Sequence, residues 1–232
     1  MVAKFESHPI LDAMKPDTPI AVLTGDLVAS TALSRDQISV AFSALRDCAE
    51  LQARWQGAPL HFTRHRGDGW QVVLAQPKYA LRSALAFRAA LRAKSGTLDT
   101  YIGAAEGQRP ATLHPDLNYE TEAVFVASGT ALDWAKSNED AVRMEFNPHG
   151  PLNAAFILAD RISRDWTQPQ AAAIAPFLAP VHVPTATDVA DRLGKSRQAV
   201  SKALDAARYP ALLQALTSLE TGRETEHAGQ DA

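Results

Sequence analysis

The chain of 232 residues has one cysteine, Cys48, so no intramolecular disulfide can form. A disulfide-stapled fold is excluded, and a lone thiol suits a reducing compartment, so a cytoplasmic location is expected. No apolar run approaches the roughly 20 residues that a membrane helix needs. Met1 to Pro16 lack a basic stretch followed by an apolar one, so no signal peptide is read there. An excess of one charge is also missing. The 23 Lys and Arg against 26 Asp and Glu leave a formal net charge of −3. Nucleic acid is therefore not captured by the chain as a whole, and any such contact must come from a local patch. The seven histidines are scattered and none stands with the cysteine at zinc spacing, so no structural zinc site is expected.

Hydrophobic residues make up 46% and charged residues 21%, which are ordinary globular proportions. Residues 1–18, with His8-Pro9 and Lys15-Pro16, read as a flexible arm. Pro19 to Thr24 is a short apolar run ending in Gly25-Asp26, the pattern of a buried strand. A helix follows from Ser34 to Gln56, with Ser34 as N-cap and Ile38, Phe42, Leu45, Ala49 and Trp55 on one stripe. Cys48 lies beside that stripe and reads as a buried, inert thiol. Leu60–Arg66 and Trp70–Ala75 read as strands joined at Gly67-Asp68-Gly69. A helix over Lys78–Lys94, a strand over Leu98–Ala104, a helix over Ala123–Ser137 and a strand over Ala141–Phe146 complete this part. The alternation predicts an α+β fold, a ferredoxin-like sheet with helices packed mainly on one face. Asn147-Pro148-His149-Gly150-Pro151 breaks the pattern, which divides the chain into a domain at 19–147, a helical domain at 148–220 and a disordered tail at 221–232.

In the helical part, Pro151–Asp165 is amphipathic, with Ala155, Phe156, Leu158, Ala159 and Ile162 available to a core. Thr167 caps the next helix. Thr185–Gly194 is then a short helix ending in glycine, Lys195-Ser196 a turn, and Arg197–Arg208 a second helix. This is the spacing of a helix-turn-helix. Ala190 allows close approach, Gly194 permits a left-handed backbone, and Val189, Leu193, Val200 and Leu204 supply the shared core. Lys195, Ser196, Arg197, Gln198, Ser201 and Lys202 would then face double-stranded DNA, arginine and glutamine reading base edges, lysine and serine holding phosphate. From Lys195 to Arg208 there are four basic residues and one acid, a positive patch in an acidic chain. The same pattern also fits a helical hairpin that packs on another protein. Leu212, Leu216 and Leu219 close the core of this part or pair two chains.

Asp26-Leu27-Val28-Ala29-Ser30-Thr31 resembles the first metal-binding motif of class III nucleotidyl cyclases, and Gly67-Asp68-Gly69-Trp70 is similar to the second. Ile102-Gly103-Ala104-Ala105-Glu106-Gly107 is similar to a later Ile-Gly-x-x-x-Gly segment of that family. The resemblance implies that Asp26 and Asp68 hold Mg or Mn on a nucleoside triphosphate, with Leu27, Val28, Ala29, Ser30, Thr31 and Gly67 around its phosphates. Where the family has Val-Asn-x-Ala-Ala-Arg, this chain has Ser128 to Lys136, with Asp133 near the position of the amide and Lys136 as the one stand-in for arginine. A carboxylate there repels a triphosphate, which points to a catalytically degenerate domain. Over residues 19–216 the chain also resembles the SatD-like family, in its Gly-Asp strand end, Gly-Asp hairpin, Ser-Gly-x-Ala-Leu helix start and terminal helix-turn-helix.

Asp68 is equally what a tight hairpin selects, and Asp26 can simply cap a turn. Arg64 and Arg66 read as residues that solvate an edge strand, and Trp134 and Trp166 as packing residues. Together these readings predict a homodimeric, DNA-binding regulator whose cyclase-like domain senses a nucleotide or only dimerises. The alternative is an active nucleotidyl cyclase carrying a helical appendage.

Overall fold

The computed structural model describes residues 18–228 except Arg66 and Asp140, with side chains as far as residue 222. The expected arm therefore falls outside the described residues apart from Thr18. Five strands form one mixed sheet in the order β2-β3-β1-β4-β5: β1 (Pro19–Leu27), β2 (Thr63–Arg64), β3 (Gly69–Leu74), β4 (Thr100–Gln108) and β5 (Met144–Asn147). The central strand β1 runs antiparallel to β3 and β4, while β5 lies parallel to β4. The fold is α+β, as expected.

Strand β2 is much shorter than the expected Leu60–Arg66. His61 adopts a left-handed backbone, φ 49°, which breaks the extended run before Thr63. Strand β4 instead runs four residues beyond Ala104, because its far end pairs with Pro19 and Ile20.

Side chains alternate across the sheet and meet two different covers. Ala21, Leu23, Trp70, Val72, Leu74, Ile102, Ala104, Met144 and Phe146 face the larger core. That face is covered by α1 (Arg35–Gln56) and α2 (Ala80–Lys94), through residues such as Phe42, Leu45, Leu85 and Phe87. Ile20, Val22, Val73 and Ala105 face the other way, against Val124 and Phe125 of α3 (Ala123–Ser137). Helices thus pack mainly on one face, as expected, with α3 alone on the other. Its seat is made by glycine: a Cβ on Gly103 would lie 2.1 Å from Leu132 N and 2.2 Å from Ser128 O, and one on Gly107 2.9 Å from Val124 Cβ. The Ile-Gly-x-x-x-Gly spacing is therefore the strip on which α3 rests.

Local signals hold where they are strongest. Ser34 caps α1 in a reciprocal box with Gln37, and Gly57 ends it in the left-handed region, φ 72°. Cys48 is buried, and burial pushes its thiol pKa up to about 12, so it is inert as read.

Five helices complete the chain: α4 (Pro151–Ser163), α5 (Gln168–Ile174), α6 (Ala186–Leu193), α7 (Arg197–Ala206) and α8 (Tyr209–Ala228). Phe156, Trp166, Ile174, Val189, Val200, Leu212 and Leu216 belong to the same buried cluster as the sheet residues Leu23 and Trp70. Each fully buried aliphatic or aromatic side chain of this kind contributes about 1.5–3 kcal/mol. Leu212 and Leu216 thus close the chain's own core. Leu158 and Leu193, expected inside, are exposed (67% and 37%), since the apolar faces of α4 and α6 are narrower than their composition allows. The tail expected to be disordered from residue 221 continues α8 to Ala228, and the last four residues lie outside the description. Arg82 clamps α8 to α2 with a two-pronged ion pair to Glu220, 2.6 and 2.8 Å.

The helices are tied to the sheet by charge as well as by apolar area. Arg88 of α2 is fully buried between Asp99, 2.9 Å away at the start of β4, and Asp160 of α4, 2.6 Å away. It also donates to Ser163 Oγ at 2.8 Å. Burial alone would depress its pKa, but the two carboxylates overcome that and hold it above its ordinary value. Arg92 and Arg143 also pair with Asp99, and Arg164 with Asp160. Replacing Arg88 by Met removes the one buried cation that bridges Asp99 and Asp160, so Arg88→Met is expected to lose about 3–5 kcal/mol. Urea unfolding of the variant and of the parent checks it; a loss below 1 kcal/mol would contradict the assignment.

Candidate functional site

Three segments converge at one end of β1. Asp26 sits opposite Gly69 of β3 and Tyr101 of β4 and points to the α3 side of the sheet, as Thr24 does. Thr24 Oγ1 shares a 2.8 Å hydrogen bond with Ser128 Oγ and accepts one of 2.8 Å from Gln71 Nε2, which pins α3 in register over β1. Two turns further along α3, Lys136 then reaches the carboxylate of Asp26 and forms an ion pair with it. Asp68 enters from the Gly67–Gly69 turn, where Gly67 has φ 79°. Its carboxylate accepts from the hydroxyl of Ser30, and its carbonyl accepts from Leu27 N at 3.2 Å.

The expected pair Asp26 and Asp68 is therefore brought together. Burial raises the pKa of Asp26, Lys136 lowers it and Asp68 raises it again, with a net upward result. For Asp68, burial also acts upward but is outweighed by the hydrogen bonds with Ser30 and Asp26 and by the charge of Lys136, so it stays below its ordinary value. The two neighbouring carboxyls are thus pushed in opposite directions, Asp26 upward and Asp68 downward. Lys136 is held above its ordinary value, first by the hydrogen bond to Asp26. Because folding raises the pKa of Asp26, its contribution to stability is full below the ordinary carboxylate value and is lost as pH rises past the folded one. Asp68 works in the opposite sense, its contribution being lost on acidification.

The phosphate cradle expected from Leu27 to Thr31 is only partly open. The N–H of Leu27 is spent on Asp68 O and that of Val28 on Asp99 O, 3.0 Å, because the strand end is stitched to its neighbours. Ala29 is left-handed, φ 50°, and starts a 3₁₀ turn over Ser30–Ala32; among the described residues no carbonyl accepts from the N–H of Ser30 or Thr31. Among the described residues no cluster of three or more His, Cys, Asp or Glu is placed to hold a metal ion. The donors available to a divalent cation are the carboxylates of Asp26 and Asp68 and the hydroxyl of Ser30. These hard oxygens suit Mg or Mn, provided the half-exposed Lys136 swings aside. Asp133 is exposed and adds to the field that keeps Lys136 charged.

Tyr101 was not singled out from the sequence, although it directly precedes the Ile-Gly spacing. It is buried beside Asp26, donates to Glu139, and is pushed up to about 12, first by burial and then by that carboxylate. Trp134 is 40% exposed rather than packed, whereas Trp166 is buried and donates from Nε1 to Ala207 O at 3.0 Å. Arg64, on the edge strand, stacks 3.8 Å over the Phe42 ring and donates to Gly67 O; Arg66 lies outside the described residues.

The second candidate surface lies on α6 and α7. Thr185 caps α6 in a box with Asp188, Gly194 ends it at φ 61°, and Ser196 caps α7 by accepting from Ala199 N at 3.1 Å. Val189, Ala190, Val200 and Leu204 are buried between the helices. Lys195, Ser196, Arg197, Gln198, Ser201 and Lys202 are all exposed.

No family model matches the sequence, and no curated protein matches it. Among solved structures, a bacterial light-regulated adenylyl cyclase superposes on 58% of this chain and 44% of its own, with 16% identical residues and a TM-score of 0.39. This chain thus spans less than half of that protein. No helix among the described residues is long and apolar enough to cross a membrane.

The electrostatics of the site are open to direct titration. Lys136→Met should move the titration of Asp26 upward, and Asp68→Asn should move it downward, read from the Asp26 side-chain carbon by NMR. Shifts of the same sign in both variants would contradict the opposed effects of Lys136 and Asp68 on Asp26.

Proposed function

We propose that this protein binds double-stranded DNA through α7. The carrying observation is that the first two turns of α7 and the turn before it present six polar or basic side chains to solvent while Val200 and Leu204 occupy the inner face. Lys195, Arg197 and Lys202 are not held by any partner among the described residues, so their donors are available to phosphate and to base edges. The N-terminus of α7 adds a partial positive charge on the same side. Trp166, bonded to Ala207 and itself accepting from Arg92 at 2.7 Å, anchors the other end of this helix to α2.

The Asp26–Asp68–Lys136 site then acts as a sensor. A divalent cation on Asp26, Asp68 and Ser30 would displace Lys136, and the freed ammonium together with the Ser30 and Thr31 amides would meet the phosphates of a nucleotide. When bound, the cation would supply charge neutralisation for those phosphates. No observation favours turnover over binding.

Fluorescence anisotropy of a labelled duplex from upstream of the protein's own gene tests the proposal, with and without Mn²⁺ and a nucleoside triphosphate. Salt-sensitive, sequence-selective binding by two chains per duplex is expected, as for a homodimer. Arg197→Glu should weaken it by about 10- to 100-fold, and Asp26→Ala with Asp68→Ala should remove the response to nucleotide alone. Binding no tighter than to random duplex in every condition would overturn the DNA reading.

A further inference from the structure

Away from both surfaces, a cavity of about 720 Å³ opens between α1, α2 and the segment 175–184 that leads into α6. Its volume falls in the range of roughly 300–1,000 Å³ typical of small-molecule sites. The walls are apolar: Cys48 and Leu51 from α1, Ala86 and Ala90 from α2, Pro176 and Val181 from the connecting segment. Leu51 and Val181 stand 57% and 46% exposed among its lining residues.

Two polar features bear on the occupant. Gln52 lines the cavity and is 1% exposed; its Nε2 goes to Cys48 Sγ at 3.2 Å, while its buried Oε1 has no partner among the described residues. A buried amide oxygen without a donor is costly unless something supplies one. Around the opening, Arg54, Lys94 and Arg192 bring three cations against the single carboxylate of Asp47, with His182 beside them. None of the three cations is ion-paired among the described residues; Arg192 donates only to the Asp188 carbonyl, at 3.2 Å.

We propose that this cavity is a binding site for an apolar small molecule with one anionic group and an N–H or O–H donor. The apolar body fills the space over Ala90 and Cys48, the donor satisfies Gln52 Oε1, and the anion meets the cations at the opening. Because Arg192 belongs to α6, the bound molecule would touch the helix-turn-helix directly.

The probe 1-anilinonaphthalene-8-sulfonate carries all three features, and its fluorescence rises in an apolar site. With the full chain in native buffer, one saturable site per chain is expected. The uncharged analogue N-phenyl-1-naphthylamine should bind about tenfold more weakly, the loss of one charge-assisted contact. Arg192→Glu should give a similar loss. Ala90→Trp should abolish binding by filling the cavity, with circular dichroism confirming its fold. Leu51→Glu, a change at an exposed position that the fold tolerates, should also weaken binding by placing a carboxylate at the lip. The proposal fails if the folded chain gives no saturable signal, if charged and uncharged probes bind alike, or if Leu51→Glu and Arg192→Glu bind as the parent does. An affinity that falls as protein concentration rises would instead mean that a second copy of the chain occupies the cavity.

Discussion

The guanidinium of Arg88 is the charge on which the helical layer depends. It lies out of reach of water between Asp99 and Asp160, and so joins α2, the entry to β4 and α4 at one point. Burying three charges is unfavourable unless each is met by the others and by further donors. Here Thr100 N and Arg143 serve Asp99, Arg143 N and Arg164 serve Asp160, and Ser163 takes a remaining proton of Arg88. The network ties α4 to α2 and to the entry of β4 through directional bonds in addition to apolar packing. From α4 the constraint passes through Ser163 and Trp166 to α5 and to the end of α7.

The candidate site follows from an analogous constraint on the other face. Gly103 and Gly107 remove the side chains that would lift α3 off the sheet, and Thr24 with Ser128 sets its register. Lys136 consequently arrives over Asp26, and its ammonium offsets the repulsion between Asp26 and Asp68.

Where local chemistry decides structure, the elements were legible in the sequence. The capped start of α1 at Ser34, the span of α3 and the Thr185, Gly194 and Ser196 punctuation of α6 and α7 all depend on neighbours within four residues. The convergence of Asp26 and Asp68 was legible because both motifs stand at strand ends that pair. Other features depend on distant partners. The sequence places a helix at Ala123–Ser137 but does not show which face of the sheet it covers. The Lys136–Asp26 contact joins residues 110 apart. The exposure of Leu193 and the continuation of α8 past Glu220 have no apolar period to announce them, and the short β2 depends on one left-handed histidine.

Taken together, the buried cluster runs without a break from the sheet to α6 and α7. The four tryptophans allow that to be measured. Trp70 is buried in the sheet against Phe87, and Trp166 is buried where α7 is anchored. With fluorine-labelled tryptophan, urea should remove the native NMR signals of Trp70 and Trp166 in a single coincident transition. Loss of the Trp166 signal at clearly lower urea, with Trp70 still native, would contradict the continuous core and leave the helical layer independent of the sheet.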